Sequence, residues 1–161
     1  MTDEEIMRKA IELAKISGDE GEVPVGAVVT KNGEIIATGR NRRELGKNAL
    51  YHAEIEAINN ACQKLGGWRL WQCELYVTLE PCPMCAGAII NSRIKRVVYG
   101  ASDLKAGSFG SVVNFNSLAY NHKPEIIGGI LEEECAAFLS NFFLKLRQKR
   151  AKNKEIDNLA K

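Results

Sequence analysis

Val23-Pro24-Val25-Gly26-Ala27-Val28-Val29-Thr30-Lys31-Asn32-Gly33-Glu34-Ile35-Ile36-Ala37-Thr38 decides the fold. Two β-rich runs flank an Asn-Gly pair, the strongest short-range hairpin signal, because a two-residue turn of the favoured type needs positive φ at both positions. Upstream, Ile6, Ala10, Ile11, Leu13, Ala14 and Ile16 recur at helical spacing, which predicts an amphipathic helix over 3–17. Thr2 is its expected N-cap, Glu5 completes a capping box, and Gly18 is the expected stop.

Downstream the pattern alternates. Arg40 to Leu50 is a polar loop, and Ile55, Ala57, Ile58, Ala61 and Leu65 give a helix over 52–65. Leu75-Tyr76-Val77-Thr78-Leu79 is a short buried strand, broken by Glu80-Pro81, after which Cys82 to Ile90 can open a helix. Arg96 to Gly100 is the next strand, running into a Gly- and Ser-rich loop at 101–111. Residues 131–150 form a long helix with Ala136, Leu139, Phe142, Phe143 and Leu146 on one side. A hairpin followed by alternating helices and strands predicts an α/β layered fold with a mixed sheet. No repeat or low-complexity segment interrupts it. The expected organisation is one domain over 1–150 and a basic, frayed tail over 151–161.

The composition agrees with that scale. The 161 residues are 45% hydrophobic and 26% charged, as in a globular protein of one domain. No apolar run reaches the roughly 18 residues of a membrane span. The acidic start, Met1-Thr2-Asp3-Glu4-Glu5, argues against a targeting peptide, so a cytoplasmic protein without a membrane partner is expected. Five cysteines make a disulfide framework improbable there, and a Cys-x-x-Cys pair reads as metal-binding or redox. Cys62, Cys73 and Cys135 are expected as small buried hydrophobes. The net charge of +2 hides an asymmetry: residues 1–22 hold seven acids against three bases, and the chain from Lys145 onward holds seven bases against two acids. A basic run of that kind can neutralise phosphates, or it can be a plain solvated helix.

The chemistry lies in His52-Ala53-Glu54 and Pro81-Cys82-Pro83-Met84-Cys85. Structural zinc is closed by four protein ligands, whereas catalytic zinc keeps one position for water. His52, Cys82 and Cys85 supply three ligands and leave that position, and Glu54 is a carboxylate free to move protons. One imidazole and two thiolates suit zinc over magnesium or calcium. The order, His-x-Glu followed by Pro-Cys-x-x-Cys, is the signature of zinc nucleobase deaminases. Cys82 and Cys85, three apart, share a face if they open a helix, and its dipole favours thiolates. His52 and Glu54, two apart, point to nearly opposite sides of an ideal helix, so one of them must sit at an irregular helix mouth. Two alternatives remain open: a redox pair, or a closed structural site with Cys73, Cys135 or His122 as fourth ligand.

On these residues the chain resembles the cytidine-deaminase-like superfamily, and within it the bacterial tRNA adenosine deaminases that convert the wobble adenosine to inosine. Further matches are Gly21-Glu22-Val23-Pro24-Val25-Gly26-Ala27-Val28, Asn41, Gly67-Trp68-Arg69-Leu70, Leu75-Tyr76-Val77-Thr78-Leu79-Glu80-Pro81-Cys82, Cys85-Ala86-Gly87-Ala88-Ile89, Ser92-Arg93-Ile94, Asp103, Gly107, Asn121-His122, and Phe142-Phe143 through Leu146-Arg147. The resemblance implies a three-layer α/β/α sandwich with a mixed five-stranded sheet, one Zn2+ per subunit, Glu54 as catalytic residue, and a homodimer acting on a tRNA anticodon loop. It also implies that Asn41 meets the extruded nucleotide and Asp103 a ribose 2′-hydroxyl. The tail helix, with Phe143 and Arg147, would line the anticodon loop. The branch usually carries Pro-Thr-Ala before His-Ala-Glu, and Ala49-Leu50-Tyr51 stands here. Tyr51 and Ala53 are therefore candidate substrate contacts, and Tyr51 could narrow the pocket, stack on another base or turn away. That departure keeps a free nucleobase or nucleoside (guanine, adenine or cytosine) open as substrate. A non-catalytic, zinc-stabilised RNA-binding module is the remaining alternative.

Overall fold

The computed structural model describes residues 1–160. Helix α1 (Asp3–Asp19) starts at the expected capping box: the Thr2 side chain accepts from the Glu5 N–H at 3.2 Å, and the Glu5 carboxylate accepts from the Thr2 N–H at 2.7 Å. It runs past Gly18, and the chain reverses instead at Gly21, whose φ is 85°. Strands β1 (Gly26–Lys31) and β2 (Glu34–Arg40) form the hairpin. Asn32 (φ 52°) and Gly33 (φ 79°) take both positive-φ positions of its turn. Then follow α2 (Ala53–Leu65), β3 (Cys73–Leu79), α3 (Pro83–Ser92), β4 (Arg96–Ala101), β5 (Glu125–Ile127) and α4 (Glu132–Leu159).

The sheet order is β2-β1-β3-β4-β5. The β1–β2 and β1–β3 pairs are antiparallel, and β3–β4 and β4–β5 are parallel. Alternating residues of each strand face opposite layers. Ala27, Val29, Leu75, Val77 and Val97 pack with Ala53, Ala57, Ala61, Ala86 and Ile89 of α2 and α3. Val28, Tyr76 and Val98 pack on the other side with Ile6, Met7, Ala10 and Cys135 of α1 and α4. This is the expected α/β/α sandwich. Small alanines on α2 let that helix lie close to the strands, which fixes where its N-terminus arrives.

Helix α4 corrects one expectation. The frayed tail over 151–161 is helical as far as Leu159, and only Lys161 lies outside the described residues. Ala151, Lys152, Lys154, Glu155 and Leu159 are good helix formers, so local propensity extends the helix through this exposed stretch. No helix is long and apolar enough to cross a membrane among the described residues.

Candidate metal centre and cleft

The parallel strands β3 and β4 end at the same edge of the sheet, where β1 begins and β2 finishes. Ligand sites in such sheets form outside the carboxyl ends of strands. The N-termini of α2 and α3 point at that edge, because each helix directly follows a segment leaving it.

His52 is the N-cap of α2, with extended backbone (φ −83°, ψ 154°) and no side-chain capping bond. Glu54 is already inside the first turn and is buried. The helix boundary between the two residues resolves the conflict in their spacing: one side chain leaves before helical geometry begins. Cys82 is likewise the N-cap of α3, followed by Pro83 at the first helical position, and Cys85 lies in the first turn. His52 Nδ1 stands 3.6 Å from Cys82 Sγ and 3.6 Å from Cys85 Sγ. Tetrahedral zinc, with Zn–S of about 2.3 Å and Zn–N of about 2.0 Å, sets nitrogen and sulfur about 3.6 Å apart. The three donors fit that ion in both chemistry and spacing.

They form one group, with all ligand atoms within 4.8 Å of one another. None of the alternative fourth ligands joins it among the described residues. Cys73 and Cys135 are buried in the two core layers, and His122 Nε2 donates to the Ile94 carbonyl at 2.7 Å. An ion held by these three residues would keep a fourth position free of described side chains, as a catalytic site needs and a closed structural site does not.

The electrostatics suit proton transfer. The hydrogen bond from Cys85, aided by His52, holds the Cys82 thiol down at about 4. The Cys85 thiol is pushed far up, first by that same bond and then by burial. The hydrogen bond with Cys82 raises His52. Burial pushes the Glu54 carboxyl up to about 7, against a hydrogen bond from its own backbone N–H.

A cleft opens beside this group, lined by Val23, Val25, Asn41, Arg43, His52, Ala53, Glu54, Leu79, Glu80, Cys82, Asp103 and Ala106. Four of the expected substrate residues divide here. Asn41, Ala53 and Asp103 line the cleft, and Tyr51 does not. Tyr51 is 45% exposed in a neighbouring cavity with Arg42, Leu50 and Glu56. Asn41 also supports the loop, donating to the Val23 carbonyl at 3.2 Å and accepting from the Arg43 N–H at 3.3 Å. Phe143 is 41% exposed and lines an adjoining hollow with Phe142, Leu146 and Arg150; this hollow shares Val23, Asn41 and Arg43 with the cleft. Arg147 is exposed on α4 and lines neither. Arg43 was not anticipated from the sequence, and Glu22 and Glu80 lie in matching segments without having been expected at the site. Nothing local in a strand-flanking Glu signals that the fold will bury it.

A family model described as MafB19-like deaminase matches residues 1–147. The chain is 50% identical over 152 residues to a tRNA-specific adenosine deaminase of Bacillus subtilis (strain 168), covering 93% of this chain and 94% of the relative. A solved structure from work on A-to-I editing by tRNA:A34 deaminases at the wobble position superposes with a TM-score of 0.81 at 44% identity, over 83% of this chain and 97% of that one. A guanine deaminase from Nitrosomonas europaea superposes with a TM-score of 0.75 at 27% identity, over 84% and 81%.

Proposed function

The chain belongs to the MafB19-like deaminase family, and on that premise we propose that it is a zinc-dependent hydrolase converting adenosine to inosine at the wobble position of tRNA. The observation that carries the chemistry is His52 Nδ1 held 3.6 Å from each of two sulfurs, with a buried carboxyl two residues on. His52, Cys82 and Cys85 would hold the ion. A zinc ion there supplies Lewis acidity that brings the pKa of water near neutrality.

Glu54 is the catalytic residue. Its carboxyl, held near 7 by burial, is suited to accept a proton from the attacking water and to return it. Water adds to C6 of the adenine, the proton goes to the ring nitrogen, and a second transfer lets the exocyclic amine depart as ammonia. The base must leave its stack to reach a recessed cleft. Asn41 and Ala53 contact that base, and Asp103 accepts from a ribose hydroxyl, the group that separates RNA from DNA. Phe143 and Arg147 approach the anticodon loop from α4. We assign residues 1–150 to the catalytic domain. A homodimer in the cytoplasm with one zinc per subunit is part of this proposal; the exposed Leu50 and Tyr51 beside α2 support a partner surface.

Incubation of pure protein with tRNA and sequencing for inosine tests the assignment. Absence of inosine in a zinc-loaded sample removes it. The likeness to a guanine deaminase and the Ala49-Leu50-Tyr51 segment favour, as second reading, deamination of a free base. Ammonia release from guanine or adenine with RNA inert would select it.

A further inference from the structure

We propose that Glu22 and Glu80 are positioning residues that hold the two rims of the cleft in binding shape; this rests on the nucleobase-deaminase function above. Both are glutamates withdrawn from water, each 1% exposed, and neither joins a salt bridge among the described residues.

Glu80 follows the last residue of β3. Its Oε1 accepts from the Asp103 N–H at 3.2 Å and from the Ser111 hydroxyl. Its Oε2 accepts from the N–H groups of Phe109 and Ser111, each at 3.1 Å. Gly107 makes room, since a Cβ there would collide with the Glu80 carboxyl. The loop over 102–111 is thus wound around one carboxyl. Glu22, just before β1, serves the opposite rim: it accepts from the Glu44 N–H at 2.9 Å and the Leu45 N–H at 2.8 Å. The first loop brings Asp103 to the cleft and the second brings Arg43. Because β1 and β3 are antiparallel neighbours, Glu22, four residues before β1 begins, and Glu80, one residue after β3 ends, lie at one edge of the sheet.

A buried carboxyl is costly unless donors meet its oxygens. Packing alone would be served by an apolar side chain. All four donors to Glu80 come from the rim loop and none from the sheet, so the carboxyl specifies loop shape. Asp103 gains most. Glu80 holds its N–H, and its own Oδ1 accepts from Lys105 at 3.0 Å and Ala106 at 3.2 Å, which leaves Oδ2 for a ligand hydroxyl.

Glu80→Gln turns one acceptor oxygen into an NH2 facing donors, and Ser111→Ala removes a single bond as a milder change that keeps the fold. Glu22→Gln probes the other rim. Binding of an anticodon stem-loop RNA is titrated in the Glu54→Ala background, and zinc per chain and steady-state constants are measured on the same substitutions alone. We expect Glu80→Gln and Glu22→Gln to raise Kd and KM about tenfold or more and Ser111→Ala about threefold, with kcat falling less than about threefold and zinc per chain retained. Unchanged Kd and KM overturn the proposal, as does a loss confined to kcat and zinc, which marks mere structural support. Should Glu80→Gln fail to fold, Ser111→Ala and Glu22→Gln decide by the same criterion. If RNA is inert with the unmodified protein, KM for guanine or adenine is read instead. A rise there keeps the rim assignment and discards the RNA substrate; an unchanged KM discards the rim assignment.

Discussion

The ring of Tyr51 packs directly on Gly46, where its Cδ2 and Cε2 fill the space that a Cβ at position 46 would need. The loop between β2 and α2 therefore folds onto itself, and Tyr51 turns into the cavity beside Arg42 and Glu56 and not into the cleft. Leu50 and Tyr51 line that neighbouring cavity, outside the cleft that His52 and Cys82 line.

Gly46→Ala should push the ring off this seat. Overpacking of that kind costs about 1–3 kcal/mol, read as a lower urea midpoint. In a Tyr51→Ala background the same substitution should cost clearly less, because the ring is gone and only the Arg42 carbonyl oxygen, 3.0 Å from a Cβ there, still crowds it. Equal losses in both backgrounds would show that the ring does not rest there.

Removal of Glu54 should separate chemistry from metal binding. Glu54→Gln is expected to lower kcat by about 10²–10⁴ with zinc retained, whereas Cys85→Ala should lose both zinc and turnover. Metal analysis beside a deamination assay distinguishes them. Full activity in Glu54→Gln would end the assignment of this residue.

The metal group and most elements were legible for a simple reason: each depends on neighbours in sequence. Asn32-Gly33 fixes a turn by its own φ preferences, and the Cys82 and Cys85 spacing survives because both lie in one helical turn. Other features depend on distant partners. β5 spans three residues, too few for a two-residue period to show, and it exists because Arg96, Val97 and Val98 pair with it. The placement of His52 and Glu54 required knowing where α2 begins. Glu80 is a strand-end acid in sequence, and only the returning loop, some 30 residues on, makes it a buried acceptor. The helical reach of α4 past residue 150 was masked by its charge, which signals solvent exposure and not lack of structure.

Asp3 at the start of α1 ties the N-terminus to the sheet. Its Oδ2 lies 2.7 Å from Arg96 Nη2, Tyr76 donates to its Oδ1 at 2.8 Å, and the ion-pair side chains are 31% and 18% exposed. The Arg96 hydrogen bond holds the Asp3 carboxyl below its ordinary value. A depressed carboxyl contributes stability that is present above the unfolded pKa and is lost as pH falls through the folded one. Asp3→Asn should therefore cost about 1 kcal/mol at pH 7, the upper end for a partly screened pair. The difference should begin to shrink near pH 4 and close only below the depressed folded value. A gap as wide at about pH 2 as at pH 7 in urea melts, below the ordinary carboxylate range, would point to packing and not to charge.

The last turns of α4 test RNA binding without touching the core. Residues 150–159 are exposed throughout, so no tertiary core depends on them. This stretch carries Arg150, Lys152 and Lys154, with Lys149 just before it, and the two lysines after Arg150 lie beyond the hollow of Phe142 and Phe143. Truncation after Gln148 should leave the melting temperature nearly unchanged. Affinity for an anticodon stem-loop should fall, and the slope of log K against log salt should become shallower by about 0.7–0.9 for each phosphate no longer neutralised. Restoring the length with Lys and Arg replaced by Gln keeps the helix and removes the charge, and it should reproduce the truncation. Identical affinity and slope in all three proteins would confine RNA binding to the cleft and leave the basic helix as a solvated surface.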